Sequence, residues 1–362
     1  MTPGDDTVRL EQAPTDRTSA GAVLSVDGLS VSFPTDNGVV KAVSGVSFQA
    51  FQGETLGVVG ESGSGKSVTA LAILGLLPTT AVVSGAVRYR GQSLLDMKED
   101  ERRKLRGSKL AMVFQDALAT LNPVFKVGSQ VEEAISVHHK MPRRQLRDRA
   151  VELLDLVGIP NAKKRAEQYP HEFSGGMRQR AMIAMAIAND PDVLIADEPT
   201  TALDVTIQAQ VLDVLERIQD RTESCILLIT HDLGVVAGLV DRVLVMYAGK
   251  QVEMGPVDDI FYESRHPYTL GLLASLPRLD EGGGRQRLHA IKGQPPSLIH
   301  LPSGCAFHPR CLFARTPEPC STEVPDLLPS GSANHLSACH FRDHLAEVTP
   351  ASLPEGHEAA QA

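Results

Sequence analysis

Tryptophan is absent from this chain of 362 residues, and aromatic side chains make up only 4% of it. The hydrophobic core must therefore be built from aliphatic side chains, and surfaces on which aromatic ligands could stack are few. Basic residues are fewer than acidic ones. The chain has 35 Lys and Arg and 44 Asp and Glu, which gives a net charge of −9. Because nucleic-acid binding relies on contacts of Lys and Arg with phosphates, this balance argues against a nucleic-acid partner.

Long apolar runs are missing as well. No run reaches the roughly 20 residues that cross a bilayer, and the N-terminal stretch is polar and acidic rather than signal-like. We therefore expect a soluble protein that stays on the cytoplasmic side. Cysteine is scarce, with five in the chain, but four of them fall between Cys305 and Cys339. In a reducing compartment such a cluster indicates metal or iron–sulfur ligation before disulfides.

A phosphate-binding loop is the strongest motif in the chain. An apolar β-type run ends at Val59, an apolar helix is predicted from Ser67 to Leu77, and between them the sequence reads Gly60, Glu61, Ser62, Gly63, Ser64, Gly65, Lys66, Ser67. This matches G-x-x-x-x-G-K-S, in which glycines let successive N–H groups converge on one anion. Lys66 should reach the β- and γ-phosphates of a nucleotide, and the Ser67 hydroxyl should ligate Mg²⁺.

Two adjacent carboxylates follow another short apolar run, Val193–Ala196. A buried strand rarely ends in two acids unless cations meet them, so Asp197 and Glu198 predict a metal and base pair. Asp197 is expected to hold Mg²⁺ through water. Glu198 points elsewhere and is expected to polarise an attacking water.

Three single residues give weaker signals. Gln115 ends a predicted buried strand and offers an amide oxygen as a weak contact to Mg²⁺ or water. His231 follows the apolar run Ile226–Ile229, at the strand end where open α/β sheets place their chemistry. Phe33 lies where an adenine ring could stack, although packing in the core explains its spacing almost equally well.

A second anion site is predicted further along the chain. Ser174 is the expected N-cap of an apolar helix from Met177 to Ala188, and Gly175 and Gly176 expose backbone N–H groups at the start of that helix.

With these residues in order, the chain resembles the ATP-binding subunits of ABC transporters over about residues 22 to 345. The motifs are the Walker A loop (Gly60–Ser67), the Q-loop (Gln115), the signature (Phe173–Met177), the Walker B strand with the catalytic glutamate (Val193–Glu198), the D-loop (Ala202–Asp204) and the switch histidine (His231). One departure is Met177, where many members carry Gln.

The resemblance implies an ATPase with Lys66, Glu198 and His231 as catalytic residues. Mg²⁺ would be held by Ser67 directly and by Asp197 and Gln115 through water. Two such subunits, identical or homologous, meet head to tail in this family, so that each ATP lies between the Walker A loop of one and the signature of the other. The signature residues Ser174, Gly175, Gly176 and Met177 would therefore serve the partner's ATP.

Further stretches narrow the resemblance to importers of the peptide/nickel family. They are Phe114–Asp116 with Leu121–Phe125, His266–Thr269, Gly293–Pro296, and Gly304–Cys305 with Pro309–Cys311. The resemblance implies import of dipeptides or oligopeptides, with two transmembrane permease subunits and an extracytoplasmic substrate-binding protein. It also implies a peripheral location on the cytoplasmic face of the membrane, and the segment from Gln115 to Phe125 is the expected docking surface for a permease.

Alternatives stay open at this point. The same ATPase could serve nickel, glutathione or another small solute. A soluble ABC ATPase of DNA repair or translation, an exporter cassette and an iron–sulfur regulatory protein are the other readings; the acidic charge and the C-terminal Pro/Cys segment argue against the first two.

The cysteines Cys305, Cys311, Cys320 and Cys339 lack the paired C-x₂-C spacing of common structural zinc sites. Four thiolates suit a [4Fe–4S] cluster, and members of the peptide-importer family resemble this pattern. Zn²⁺ and free or disulfide-bonded thiols are the alternatives. The expected role is structural, pinning the C-terminal segment. Cys225, on a predicted buried strand, is expected to be a small core residue.

The predicted fold class is α/β: an ABC-type P-loop ATPase core with a mixed sheet, an antiparallel β subdomain and a helical insertion, followed by a small Cys-containing C-terminal extension. The expected boundaries are a disordered tail over residues 1–21, the nucleotide-binding domain over 22–257 with a helical subdomain at about 119–188, the C-terminal domain over 258–345 and a disordered tail over 346–362. Short strands separated by turns are predicted at Val23–Val26, Leu29–Phe33, Val39–Val43 and Val46–Phe51.

Overall fold

A computed structural model of the protein describes residues 21–116, 120–201, 203–276 and 290–353. The strands are β1 (Ala22–Thr35), β2 (Gly38–Phe51), β3 (Thr55–Val59), β4 (Val82–Tyr89), β5 (Gln92–Ser93), β6 (Leu110–Val113), β7 (Val193–Asp197), β8 (Cys225–Thr230), β9 (Arg242–Tyr247), β10 (Lys250–Pro256), β11 (Leu328–Ser330) and β12 (Ser332–Ser337). The α-helices are α1 (Lys66–Leu74), α2 (Glu99–Leu105), α3 (Val127–Ser136), α4 (Arg143–Leu156), α5 (Ala162–Arg165), α6 (Gly175–Ala186), α7 (Val205–Thr222), α8 (Leu233–Val236), α9 (Val257–Tyr262) and α10 (Pro267–Ala274).

The main sheet has the strand order β11-β12-β10-β9-β3-β8-β7-β6. Its centre is parallel, with β3 between β8 and β9, and β7 between β8 and β6. Every residue of β3, β7 and β8 is buried, as expected for short aliphatic strands covered on both faces. Parallel strands end at the same edge of a sheet, so the segments after β3, β6, β7 and β8 meet there. Cys225 is buried at the start of β8, as the sequence predicts.

A second, antiparallel sheet has the order β2-β1-β4-β5. The prediction of four short strands in its first half was wrong, because β1 and β2 run without a break from Ala22 to Thr35 and from Gly38 to Phe51. Gly28 and Gly45 adopt left-handed φ values of 57° and 70°, and the register of the pair shifts beside Gly28. A glycine in this conformation produces a β-bulge that bends a strand without ending it.

The helical insertion predicted between β6 and β7 contains α3 to α6. Its buried apolar side chains, among them Val131, Ile135, Leu153 and Leu154, belong to the same hydrophobic cluster as residues of β7 and β8. Helix α6 begins at Gly175, two residues before the predicted Met177. The N-cap is Ser174, as predicted, since its side chain accepts a hydrogen bond from the N–H of Met177.

The C-terminal extension adds strands to the edge of the main sheet. Strand β12 pairs with β10 through Glu253 opposite Ser337 and Met254 opposite Leu336. Short 3₁₀ turns occur at His308–Arg310, Arg342–Leu345 and Pro350–Ser352. Leu353 is buried, so the folded part reaches into the tail predicted from residue 346. The predicted tail over residues 1–20, Ala202 of the D-loop, and residues 354–362 lie outside the described residues.

The α/β class with an antiparallel subdomain, a helical insertion and a C-terminal extension is therefore confirmed.

A buried carboxylate joins the extension to the core. Glu253 of β10 has no solvent exposure. Its carboxylate accepts hydrogen bonds from the Arg265 N–H and from Ser264 Oγ at 3.1 Å, and it lies 2.8 Å from His335 Nε2 of β12. Its partners come from the loop before α10 and from the neighbouring strand. One side chain of β10 thus satisfies three polar groups on two other segments.

Glu253→Ala should therefore be strongly destabilising. Removing the carboxylate leaves three buried polar partners unsatisfied, and such losses cost about 3 kcal/mol. Urea denaturation of the full chain checks this value. Glu263→Ala is the matched control, because Glu263 also pairs with Arg265 but at a largely exposed site, where a surface ion pair contributes at most about 1 kcal/mol. Equal losses from both variants would contradict the prediction.

Candidate functional site

The loop from Gly60 to Ser67 joins β3 to α1 and has room for glycine alone at two positions. A Cβ on Gly60 would lie 2.2 Å from the carbonyl oxygen of Met246, and a Cβ on Gly65 would lie 2.4 Å from the carbonyl oxygen of Ala42. Gly65 also has a left-handed φ of 101°. The loop therefore packs tightly against the backbone of β2 and β9, at positions where a side chain would clash.

Lys66 is the buried cation of this loop. Its ammonium donates to the carbonyl oxygens of Gly60 at 2.6 Å and Glu61 at 3.0 Å. Burial lowers the pKa of Lys66 from its ordinary value, while the charges of Glu198, Asp197 and Glu61 oppose that change. Close by, Ser64 is buried, and among the described residues its hydroxyl has no hydrogen-bond partner. An unsatisfied buried hydroxyl beside a buried cation suits an anionic ligand.

The end of β7 meets the start of α1. Ser67 Oγ donates to Asp197 Oδ1 at 3.0 Å, and Asp197 is only 5% exposed. Burial raises the pKa of the Asp197 carboxyl, and the neighbouring charge of Glu198 adds to the increase. Two oxygen atoms that could ligate a metal ion thus lie close together at the C-terminal end of the loop.

Glu198, the next residue, has a left-handed backbone with φ of 47°. Such a conformation is costly for a residue other than glycine and is often found at functional sites. Its Oε2 accepts hydrogen bonds from Gln115 Nε2 at 2.9 Å and from Thr201 Oγ1 at 2.7 Å, and its Oε1 lies 3.3 Å from His231 Nδ1. Gln115 and His231 were singled out from the sequence, whereas Thr201 was not.

One cleft collects most of the predicted nucleotide-binding residues. Its lining comprises Phe33, Val40, Ala42, Glu61, Ser62, Gly63, Ser64, Gly65, Lys66, Ser67, Val68, Gln115, Glu198, His231 and Leu298. Phe33 satisfies both alternatives raised by the sequence, since it lines the cleft and also packs against the core below the antiparallel sheet. Leu298, from the C-terminal extension, was not predicted to be there.

The signature and D-loop residues lie elsewhere. None of Ser174, Gly175, Gly176, Met177 and Asp204 is among the residues that line the cleft. Ser174 and Gly175 are exposed, while Gly176 packs closely, since a Cβ on it would be 2.5 Å from the Ile207 side chain. Asp204 caps α7 by accepting a hydrogen bond from the N–H of Ile207 at 3.0 Å.

The four C-terminal cysteines line one small cavity together with His266, Pro267, Phe307, His308, Phe313, His340 and Phe341. They are not paired in disulfides. Backbone N–H groups of Phe313, Arg315 and Phe341 donate to the Sγ atoms of Cys311, Cys320 and Cys339, each at 3.4 Å. Burial raises the pKa of the Cys311 and Cys339 thiols to about 12. Within the described ranges, no three His, Cys, Asp or Glu side chains are grouped so that they could hold a metal ion.

Two family descriptions match the sequence. Residues 43–201 match "ABC transporter" and residues 252–320 match "Oligopeptide/dipeptide transporter, C-terminal region". The dipeptide transport ATP-binding protein DppD of Bacillus subtilis is 50% identical over 331 residues, which cover 90% of this chain and 96% of that protein. The chain belongs to this family of ABC transporter ATP-binding proteins. The family resemblance seen in the motifs is thereby confirmed.

Other members of the family extend the comparison. The oligopeptide transport ATP-binding protein OppD of Mycobacterium tuberculosis is 52% identical over 318 residues, which cover 88% of this chain and 51% of that protein. The chain thus spans about half the length of the mycobacterial relatives that it matches. A solved dimeric ATP-binding cassette, in a post-hydrolysis state with ADP and Pi, matches with a TM-score of 0.58 and 26% identity over 65% of this chain and 98% of that chain. The ABC cassette fold is confirmed.

Helices that could cross a membrane are not found in the part of this ABC protein that the structure describes.

The tight packing of the loop predicts different costs for two glycine substitutions. Gly63→Ala should cost about 1–2 kcal/mol, the penalty of a left-handed φ alone, because open space surrounds its Cβ position. Gly65→Ala adds a clash with the Ala42 carbonyl oxygen and should cost more, with the loop displaced. Chemical denaturation of both variants without nucleotide provides the comparison. A smaller loss for Gly65→Ala than for Gly63→Ala would show that the loop geometry described above is wrong.

Proposed function

We propose that this chain is the ATP-hydrolysing subunit of a membrane ABC importer for dipeptides or oligopeptides. The observation that supports this most directly is the convergence of Lys66, Ser67, Gln115, Glu198 and His231 on one cleft. The C-terminal match to the oligopeptide/dipeptide transporters supports the substrate class, because relatives with that region are named for peptide transport.

Positioning and charge account for most of the catalysis of phosphoryl transfer to water. The N–H groups of the loop and the Lys66 ammonium stabilise charge on the β- and γ-phosphates. Burial lowers the pKa of Lys66. Anionic phosphates that approach the ammonium raise this pKa again, because they favour its charged form. The Ser64 hydroxyl is a further donor for a phosphate oxygen.

The oxygen donors at the end of β7 fit a magnesium ion. Ser67 Oγ and a carboxylate oxygen of Asp197 are hard ligands of the kind that Mg²⁺ takes, and they already lie 3.0 Å apart. Gln115 offers a further amide oxygen. A bound Mg²⁺ would neutralise phosphate charge.

Glu198 orients and deprotonates the attacking water. Thr201 and Gln115 fix one oxygen of its carboxylate, which leaves the other directed toward His231. His231 then contacts the γ-phosphate from the end of β8. The left-handed backbone of Glu198 is costly, and it persists because the surrounding contacts hold the residue in place.

The proposed assembly contains a second ATPase subunit, identical or homologous, that docks head to tail. Ser174, Gly175, Gly176 and Met177 would serve the ATP of the partner, and Asp204 would lie at the same interface. The exposure of Ser174 and Gly175 away from their own cleft supports this arrangement, as does the dimeric state of the solved cassette.

Two transmembrane permease subunits and an extracytoplasmic substrate-binding protein complete the proposed importer, with this chain peripheral on the cytoplasmic face. The permease would dock on the segment from Gln115 to Phe125. Phe114, Val124 and Phe125 are 39%, 70% and 55% exposed there, next to the glutamine that contacts Glu198. A contact at this surface would thus be linked to the water-positioning carboxylate.

The cysteine cavity is the proposed site of a [4Fe–4S] cluster, with Zn²⁺ as the alternative. Four thiols line one cavity, and the N–H groups that donate to their sulfurs resemble the hydrogen bonding that stabilises iron–sulfur clusters. We therefore assign Cys305, Cys311, Cys320 and Cys339 to a structural cluster.

Glu198→Gln should bind ATP normally but slow hydrolysis by at least ~10²-fold, because an amide cannot take the proton of the attacking water. The measurement is ATP turnover and ATP affinity of the complex assembled with its partner subunits. Glu223→Gln is the matched control, since Glu223 also has a left-handed backbone, with φ of 52°, but lies outside the cleft. Near-wild-type turnover by the Glu198 variant would contradict the proposal that Glu198 deprotonates the attacking water.

Iron and acid-labile sulfide content test the cluster. Anaerobically purified chain should contain about four irons and four sulfides. Cys311→Ser should lower both contents, whereas Cys225→Ser, at a cysteine outside the cavity, should not. One zinc per chain without sulfide would contradict the cluster and support the alternative metal.

A further inference from the structure

The second residue of the phosphate-binding loop is held by the C-terminal extension. Arg310 donates two hydrogen bonds to the Glu61 carboxylate, from Nη1 at 2.7 Å and from Nη2 at 2.9 Å. The Glu61 N–H donates to the hydroxyl of Tyr268 at 2.8 Å. Both the backbone and the side chain of Glu61 are therefore fixed by residues that lie far along the chain.

Arg310 is itself rigidly placed. Its side chain is only 6% exposed, its Nε donates to the carbonyl oxygen of Lys292 at 2.9 Å, and its Nη1 lies 3.3 Å from the Tyr247 hydroxyl. A bidentate arginine with further partners is a strong geometric restraint, stronger than a lysine could supply.

An aromatic cluster anchors the turn that carries Arg310. Phe307 packs against Tyr247 of β9 and Tyr268 of α10, with ring centroids 5.1 Å and 5.4 Å apart. Tyr268 is fully buried, so its hydroxyl cannot move away from the Glu61 N–H without disturbing the core. The position of the loop thus depends on packing inside the extension.

The cleft also receives a residue from the extension. Leu298 lines the cleft together with the apolar side chains of Phe33 and Val40. Its carbonyl oxygen accepts a hydrogen bond from the Lys41 N–H of β2 at 3.2 Å. The next residue, Ile299, instead packs near Gly38 at the β1–β2 turn.

We propose that the C-terminal extension completes the nucleotide site, with Leu298 as a contact for the base and Arg310 as a positioning residue for the phosphate-binding loop. This inference rests on the proposed ATP-binding function. A flat, apolar base is stabilised by contact with apolar side chains, while a triphosphate requires the loop N–H groups to stay convergent. Leu298 therefore affects only ligands that carry a base, and Arg310 affects every ligand that carries the phosphates.

Two ligands separate these roles: ATP, and inorganic triphosphate, which has no base. Calorimetric titration of the full chain with each ligand in Mg²⁺ gives the affinities. Leu298→Ala should weaken ATP binding about fivefold through lost apolar contact and leave triphosphate binding unchanged. Arg310→Met should weaken both ligands about tenfold, as expected for loss of a charge-assisted restraint, and Arg310→Lys should recover part of the loss.

Two matched controls distinguish positioning from general destabilisation. Ile299→Ala trims the residue beside Leu298 without touching the cleft. Arg242→Met removes the ion pair that Arg242 makes with Glu54 at 3.0 Å. Glu54 precedes the first residue of β3, whereas the phosphate-binding loop follows the last residue of that strand. This variant should lower Tm while leaving both affinities within about twofold of wild type.

Wild-type affinities in Leu298→Ala and Arg310→Met would overturn the inference. It would also be overturned if the control variants Ile299→Ala and Arg242→Met weakened binding as much as Leu298→Ala and Arg310→Met do. If Arg310→Met does not fold, the Leu298→Ala comparison still decides the base contact, and Arg310→Lys decides the positioning role. Failure of the wild-type chain to bind ATP at all would contradict the proposed function itself, which is a different result from variants that bind as the wild type does.

Discussion

Parallel pairing of fully buried strands is the constraint on which the site depends. Strands β3, β7 and β8 have no exposed face, so polar chemistry is confined to the loops at their carboxyl ends. The pairing of Val59 with Thr230 and of Asp197 with Ile229 brings those ends level with one another. The phosphate-binding loop, the two carboxylates and His231 therefore lie at one edge of the sheet, brought there by strand pairing between segments far apart in the chain.

Charge is balanced locally at this edge. Lys66 and Asp197 are both 5% exposed. Burial lowers the pKa of Lys66 and raises the pKa of Asp197, so that in each case it favours the neutral form. Each charge is tolerated because opposite charges and hydrogen bonds lie close by. A ligand that brings several negative charges and a divalent cation fits this balance, since it satisfies the ammonium and the carboxylate together.

The sequence predicted the parts of this site that are encoded locally. The loop, the Asp197–Glu198 pair and the Ser174 cap each follow from a few adjacent residues, and the structure shows the first two at one edge. The strand boundaries in the antiparallel sheet were wrong because Gly28 and Gly45 signal turns in sequence but form bulges in the fold. A start at Gly175 for α6 was missed because glycine is a poor helix former away from a cap.

Contacts between distant residues could not be read from the sequence. Thr201 has no signal beyond its nearness to Glu198, and Arg310 and Tyr268 were noted only as parts of family-like stretches. Their contacts with Glu61 depend on how β10, β12 and α10 fold back onto the main sheet.

The proposed importer function is tested most directly by ATP hydrolysis in the complex of this chain with the proposed permease subunits in lipid, with and without a peptide-loaded binding protein. We expect that the peptide-loaded binding protein stimulates hydrolysis. Hydrolysis that no peptide changes, or purification of the chain without any membrane subunit, would contradict the proposed function.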